Sequence, residues 1–259
     1  MSSPRASLLT LLGRALGRTF SNLGVLLPWA ILLGGVGHVV MYLAALNLAP
    51  RFAQESTTQF IASEIIKLVV SLLLGVLLVP LVDAITIYVW RESDKGRSPS
   101  LYAATNWGIV RYARMFKPHM YSYLAIAIGM QVVIPGVLYA LQYAFVDAIA
   151  ATDDNAKAPL ARSQKLTQGR RSRIARAWLP YAVWYPAYYF YFGFKAEGYG
   201  ASAVFVFGVV DVLLLMAMEM VMFALYEERI NEARAALERQ QAKEAAQGVT
   251  PASEPETIS

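Results

Sequence analysis

Residues 134–151 read IPGVLYALQYAFVDAIAA, and the fold turns on how this run is placed. It continues an apolar tract that begins at Pro118, and Pro135-Gly136 interrupts that tract near its middle. As one kinked helix, the tract 118–150 would be about 50 Å long at the α-helical rise, too long for a single upright crossing of a bilayer. As two helices turning at Pro-Gly, each arm has about 15 residues, a little short for a span. Downstream come an acidic turn, Asp153-Asp154-Asn155, and the polar segment Ala161-Arg162-Ser163-Gln164-Lys165-Leu166-Thr167-Gln168-Gly169. A basic cluster from Arg170 to Arg176 follows.

Charge decides between the two readings. The N-terminal arm carries Arg5, Arg14 and Arg18 without an acid. Connector 91–117 carries Arg91, Lys95, Arg97, Arg111, Arg114 and Lys117 against Glu92 and Asp94. Connector 151–176 carries Lys157, Arg162, Lys165, Arg170, Arg171, Arg173 and Arg176 against Asp153 and Asp154. The remaining connectors hold only Arg51 with Glu55, and Lys195 with Glu197. The positive-inside rule puts the three basic segments in the cytoplasm, which requires 118–150 to cross twice with Pro135-Gly136 at the outer turn. The expectation is six spans with both termini cytoplasmic. The alternatives are five spans, or a re-entrant hairpin that stops part-way.

Composition agrees with a membrane class. The 259 residues are 57% hydrophobic and 16% charged, whereas soluble domains carry about a quarter charged residues. The expected fold is all-α, a polytopic membrane helical bundle with about six transmembrane helices plus amphipathic interfacial helices. Residues 1–22 form an N-terminal interfacial helix, with Leu9, Leu12, Leu16 and Phe20 on one face and Arg14 and Arg18 on another. Residues 23–226 form the membrane domain, with the Pro-Gly hairpin at 134–136. Residues 227–259 form a charged tail, first helical, then disordered around Gly248, Pro251 and Pro255. Span one covers about 23–48 and its Gly34, Gly35 and Gly37 allow close helix contact. Its length argues for a retained span and not a cleavable signal. Span two covers about 61–90 and is kinked at Pro80. Ser98-Pro99-Ser100 starts a second interfacial helix. Spans five and six cover about 174–194 and 202–226.

The order of elements resembles a bacterial membrane-protein superfamily. It includes the YciC-like inner-membrane proteins and the membrane domain of some glycerophosphodiester phosphodiesterases. The residues that carry the resemblance are Ile134, Pro135, Gly136, Ala161, Arg162, Ser163, Leu166, Thr167 and Gly169. The usual acidic residue plus Gly before the Ala-x-x-x-Ser helix appears here, more loosely, as Asp153-Asp154-Asn155. The resemblance covers most of residues 10–230 and implies a six-span fold in the bacterial inner (cytoplasmic) membrane. It implies no activity: the phosphodiesterase chemistry belongs to a separate soluble barrel of about 250 residues, for which this chain has no room.

Within the spans, ionisable residues are the candidates for function, because charge at membrane depth is costly. Glu64 and Lys67 are three apart and pair or snorkel. Asp83, Asp147, Asp211 and Glu219 are the candidate intramembrane carboxylates. Asp83, Asp147 and Glu219 fall near the cytoplasmic helix ends, where the bland reading is bridges to arginine and the sharper one is an acidic vestibule for a cation or proton. Asp211 lies deepest and is the best single candidate for a functional carboxylate, with a hydrogen bond to Tyr, Ser or His38 as the bland reading. The aromatic stripe of span five, Trp178, Tyr181, Trp184, Tyr185, Tyr188, Tyr189 and Tyr191, reads as packing and an interfacial belt. Arg170, Arg171, Arg173 and Arg176 are candidate contacts for anionic lipid headgroups.

The sequence pI is 9.3, but the positive charge sits in short juxtamembrane connectors, which excludes nucleic acid as a partner. There is no cysteine, and His38 and His119 have no metal-motif spacing. No catalytic set, cofactor site or metal site is assigned. The expectation is a non-enzymatic multi-pass protein with a structural, assembly or envelope-homeostasis role, whose C-terminal helix binds a protein partner or self-associates. The alternative is a small transporter or lipid-handling protein that uses the carboxylates.

Overall fold

The computed structural model describes residues 6–52, 56–154, 157–188 and 196–246, and all regular structure among them is helical. Helix α1 (Leu8–Ser21) starts on Ser7, whose hydroxyl accepts from the Thr10 N–H at 3.1 Å. Two stripes divide its surface. Leu11, Ala15 and Thr19 are buried in protein, whereas Leu9, Leu16 and Phe20 face outward. An outward apolar stripe on a helix that also docks inward suits a membrane interface. Its arginines are not free for solvent: Arg14 and Arg18 both pair with Asp94, and the Arg18 guanidinium lies 3.7 Å from the Trp90 ring centre.

The first span is α2 (Leu23–Trp29), a π-helical segment (Ala30–Val36) and α3 (Gly37–Phe52). The π segment carries Gly34 against the last helix. A Cβ on Gly34 would overlap the Gly208 carbonyl and stand 3.0 Å from the Val209 nitrogen. The backbones meet there because neither glycine has a side chain.

Among the described residues, four helical stretches are long and apolar enough to cross a membrane: Leu23–Leu48, Thr57–Asp94, Ile134–Thr152 and Gly200–Lys243. The six-span reading also counts the apolar end of α5 (Leu101–Met130) and α9 (Arg171–Tyr188). The first half of α5 holds Arg111, Arg114 and Lys117, and α9 is described only to Tyr188. Helix α4 (Ser56–Asp94) passes through Pro80 without a break. Its 39 residues reach about 58 Å, so part of it extends beyond a hydrocarbon core of about 30 Å. Helix α10 (Ala196–Ala246) is non-helical inside only at Gly200, φ 69° and ψ 174°. The charged segment after 226 is thus a direct continuation of the last span and not a separate unit. Gly248, Pro251 and Pro255 lie outside the described residues, as do the side chains of Glu64, Tyr185, Tyr188, Tyr189 and Tyr191.

The tract 118–150 is a helical hairpin. Helix α5 runs unbroken across the expected connector boundary at 117/118, because local charge alone does not end a helix. The chain turns at 131–133, with Val133 at φ 61°, and α6 (Ile134–Tyr143) begins with Pro135 in its first turn. Gly129 and Gly136 let the two arms touch, a Cβ on Gly129 falling 2.8 Å from the Gly136 Cα.

The returning arm is itself broken at Ala144-Phe145, and α7 (Val146–Thr152) resumes after the break. Helix α8 (Pro159–Thr167) fills that break with side chains. The Ser163 hydroxyl, fully buried, accepts from the Phe145 N–H at 3.2 Å and donates to the Gln142 carbonyl at 2.7 Å. Thr167 Oγ1 donates to the same carbonyl at 3.4 Å. Gly169, at φ 72°, turns the chain from α8 into α9 in a conformation glycine adopts without strain. At the other end of α7, Arg111 donates to the Ala151 carbonyl at 3.0 Å, and Arg114 donates to the same carbonyl and to Asp154. Cations at a helix C-terminus meet the negative end of its dipole.

Arg114 also holds the exposed Asp154 carboxyl below its usual range, through hydrogen bonding and charge. A depressed carboxylate stabilises the fold above its unfolded pKa, and that contribution disappears as pH falls through the folded value. We therefore expect the Tm gap between wild type and Asp154→Asn in detergent to be positive at pH 7 and to shrink as pH falls below the ordinary aspartate range. A gap that is constant with pH would show that the pair contributes nothing through ionisation.

Candidate functional site

Three helices bring one histidine and two aspartates together in the interior. Asp83 comes from α4, His119 from α5 and Asp147 from the first turn of α7. One ligand-type atom of each lies within 4.8 Å of the other two. His119 Nδ1 is 3.0 Å from both Asp147 oxygens and 3.9 Å from Asp83 Oδ2. Asp83 is 2% exposed and His119 4%, while the Asp147 side chain keeps 20% of its surface open. Glu219 of α10 lies within electrostatic range of all three but is not one of the converging groups.

The ring is held from behind. Tyr123, one turn along α5, stacks on it at 5.7 Å between centres and 18° between planes. Tyr123 fits because Gly75 of α4 has no side chain: a Cβ there would overlap the tyrosine hydroxyl. The Gly75 carbonyl faces His119, but Nε2 is buried and completes no hydrogen bond. Thr86 Oγ1, one turn beyond Asp83, is likewise buried and unpartnered.

The sequence pointed to Asp83, Asp147, Asp211 and Glu219; the structure brings Asp83 and Asp147 together, leaves Glu219 within electrostatic range and sets Asp211 elsewhere. It did not point to His119. The signal was present in the hairpin: folding the chain at 131–133 sets Gly129 beside Gly136 and, in the same antiparallel register, His119 beside Asp147.

The expected arginine bridges to these acids are not made. Arg170 pairs instead with Glu232 at 2.5 Å and Arg173 with Glu228 at 2.5 Å, both on the cytoplasmic extension of α10 in the expected topology. Arg173 also donates to the Ala6 carbonyl at 2.7 Å, which fastens the N-terminal arm to the start of α9. The reason is reach. Glu228 and Glu232 lie level with the start of α9, whereas Glu219 is nine residues further in, about 13 Å along the helix. Arg176 is exposed and donates to the Ser172 carbonyl.

Asp211 stands apart from the cluster. It is 5% exposed and accepts from Trp184 Nε1 at 3.0 Å and from the Tyr181 hydroxyl at 3.5 Å. His38 lies within electrostatic range, its Nδ1 2.8 Å from the Gly34 carbonyl. A buried carboxylate with two side-chain donors is a packing device joining α9 to α10, which was the bland reading of this residue.

No family model, curated protein or solved structure matches this chain.

Proposed function

We propose that this chain is a non-enzymatic, multi-pass protein of a bacterial inner membrane that holds or passes a cation through the Asp83–His119–Asp147 cluster. The observation that carries this reading is the convergence of Asp83, His119 and Asp147 from three helices within 4.8 Å. Ionisable groups inside a membrane domain are expensive, and several carboxylates in one buried place are more so, because like charges repel where dielectric screening is weak. A purely structural site would be cheaper with apolar residues. The Asp147 side chain, 20% exposed, is the side from which an ion or proton would enter. Six spans with both termini cytoplasmic fit the charge count, and the resemblance to the YciC-like proteins supports the inner-membrane location. Arg171 and Arg176 remain the members of the basic segment best suited to anionic lipid headgroups.

The test is flux in liposomes that contain the purified protein, under an imposed proton or cation gradient. Protein-dependent flux is expected to fall at least tenfold in Asp147→Asn and to stay at the wild-type level in Asp211→Asn. Flux that is absent, or unchanged in Asp147→Asn, would refute the transport reading.

A second reading is an assembly role. It is favoured by the extension of α10, which runs helical to Ala246 and leaves Leu237 51% exposed. A protein partner or a second copy of the chain would bind there.

A further inference from the structure

The geometry points to a divalent transition-metal site formed by Asp83, His119 Nδ1 and Asp147. This identifies the cation in the function proposed above and rests on that reading.

The argument begins with the imidazole. Nδ1 faces two carboxylates, at 3.0 Å and 3.9 Å, and Nε2 lies on the side of the Gly75 carbonyl. If the neutral ring carries its proton on Nε2, that N–H points at a carbonyl, and the Nδ1 lone pair points at negative oxygens. That arrangement is repulsive unless a cation stands between them. If the proton is on Nδ1 instead, Nε2 is a buried acceptor facing another acceptor. Protonation of the ring would satisfy both faces, and so would a metal at Nδ1, because metal-bound histidines usually present their other N–H to a carbonyl or carboxylate. The ring is also pre-set by its stacking on Tyr123, so little reordering is needed to use it.

Charge leads to the same assignment. Asp83 and Asp147 supply two negative charges when ionised. A protonated His119 cancels one of them, whereas a divalent ion on a neutral ring cancels both. Among the described residues neither Lys nor Arg pairs with Asp83, Asp147 or Glu219.

Donor type narrows the ion. One imidazole nitrogen with carboxylate oxygens and no thiolate suits Mn2+, Fe2+ or Zn2+ better than Mg2+ or Ca2+, which take oxygen donors, or Cu+, which takes sulfur. The 4.8 Å spread of donor atoms exceeds the roughly 4 Å available across one ion with bonds of about 2.1 Å. Binding would therefore draw the helices together by a fraction of an ångström.

The test uses Mn2+ with the full-length protein in detergent after chelator treatment. We expect one tightly bound Mn2+ per chain, with nitrogen coupling from a directly bound imidazole in its pulsed EPR spectrum. His119→Asn should remove that coupling and weaken binding at least tenfold, and Asp83→Asn with Asp147→Asn should abolish binding. Asp211→Asn should bind as wild type does. Near-UV circular dichroism reports folding of each variant, so a misfolded one is replaced by Asp147→Glu, which should retain the nitrogen signal with altered affinity. The assignment is overturned if wild type binds no Mn2+, if bound Mn2+ lacks the nitrogen coupling, or if His119→Asn binds as tightly as wild type. Proton flux without Mn2+ binding would refute the metal and leave the cation-handling reading standing; binding without flux would keep the metal and refute only the passage of cations.

Discussion

Replacing Gly208 with leucine is expected to separate the first span from α10 and to lower the stability of the detergent-solubilised protein by at least about 3 kcal/mol, at the upper end of what overpacking usually costs. The expectation comes from what a new Cβ would meet. On Gly208 it would overlap the Gly34 carbonyl and stand 2.9 Å from His38 Cγ. Flexible side chains can turn away from an intruder, but a helix backbone cannot. The contact is reciprocal, since a Cβ on Gly34 would overlap the Gly208 carbonyl. Gly34→Leu should therefore cost a similar amount, and the double substitution little more than either alone, because one separation accommodates both. Gly13→Leu on α1 is the comparison: nothing lies within 4 Å of its added Cβ, and its effect should stay within about 0.5 kcal/mol. Equilibrium unfolding in mixed micelles measures all four. Equal behaviour of Gly208→Leu and Gly13→Leu would mean that the crossing is not close-packed.

Ser163→Ala is expected to cost about 2 kcal/mol, far more than removal of one hydroxyl from an exposed position. The hydroxyl serves two backbone groups that the α6–α7 break would otherwise leave without partners, the Phe145 N–H and the Gln142 carbonyl. An unsatisfied buried backbone group costs roughly 1–3 kcal/mol, and Thr167 can still cover part of the carbonyl's need. Thr167→Val alone should do less, and the two together more than their sum, since each covers for the other. Hydrogen exchange at 144–147 gives the local readout. Faster exchange confined to that segment is the expected pattern, whereas loss below about 0.5 kcal/mol with unchanged exchange would remove this role from Ser163. Because Asp147 is in the first turn of α7, the same variant should weaken any binding at the His119 cluster.

Much of this architecture was legible in advance. Pro135-Gly136, together with the distribution of lysine and arginine, was enough to place a hairpin, and the chain does turn immediately before it. The all-helical class followed from long apolar tracts without strand alternation. The break at Ala144-Phe145 was not legible, because the residues there are good helix formers. The interruption becomes affordable only through Ser163 and Thr167, about twenty residues later. The unbroken α5 was hidden for the converse reason. Arg111 and Arg114 read as a charged connector, whereas in three dimensions they cap the C-terminus of α7.

The candidate site divides in the same way. Costly carboxylates announced themselves by standing in apolar runs. A single histidine between Pro118 and Met120 did not, since its meaning depends on what the other arm of the hairpin sets opposite it. The arginine collar was read correctly as basic, but its partners could not be chosen by counting charges. Which acid an arginine reaches depends on height along α10, and Glu228 and Glu232 stand at the right level where Glu219 does not.

From Gly200 to Ala246 the last helix is one uninterrupted rod. Its charged far end and the Glu219 carboxylate therefore share one set of mechanical coordinates. A pull or twist applied near Leu237 acts on Glu219 about 27 Å away as a displacement along or around the same axis, with no hinge between to absorb it. Arg170 and Arg173, gripping Glu232 and Glu228, are the clutch on that rod. Releasing them would let the distance between Glu219 and the His119 ring respond to whatever holds the far end.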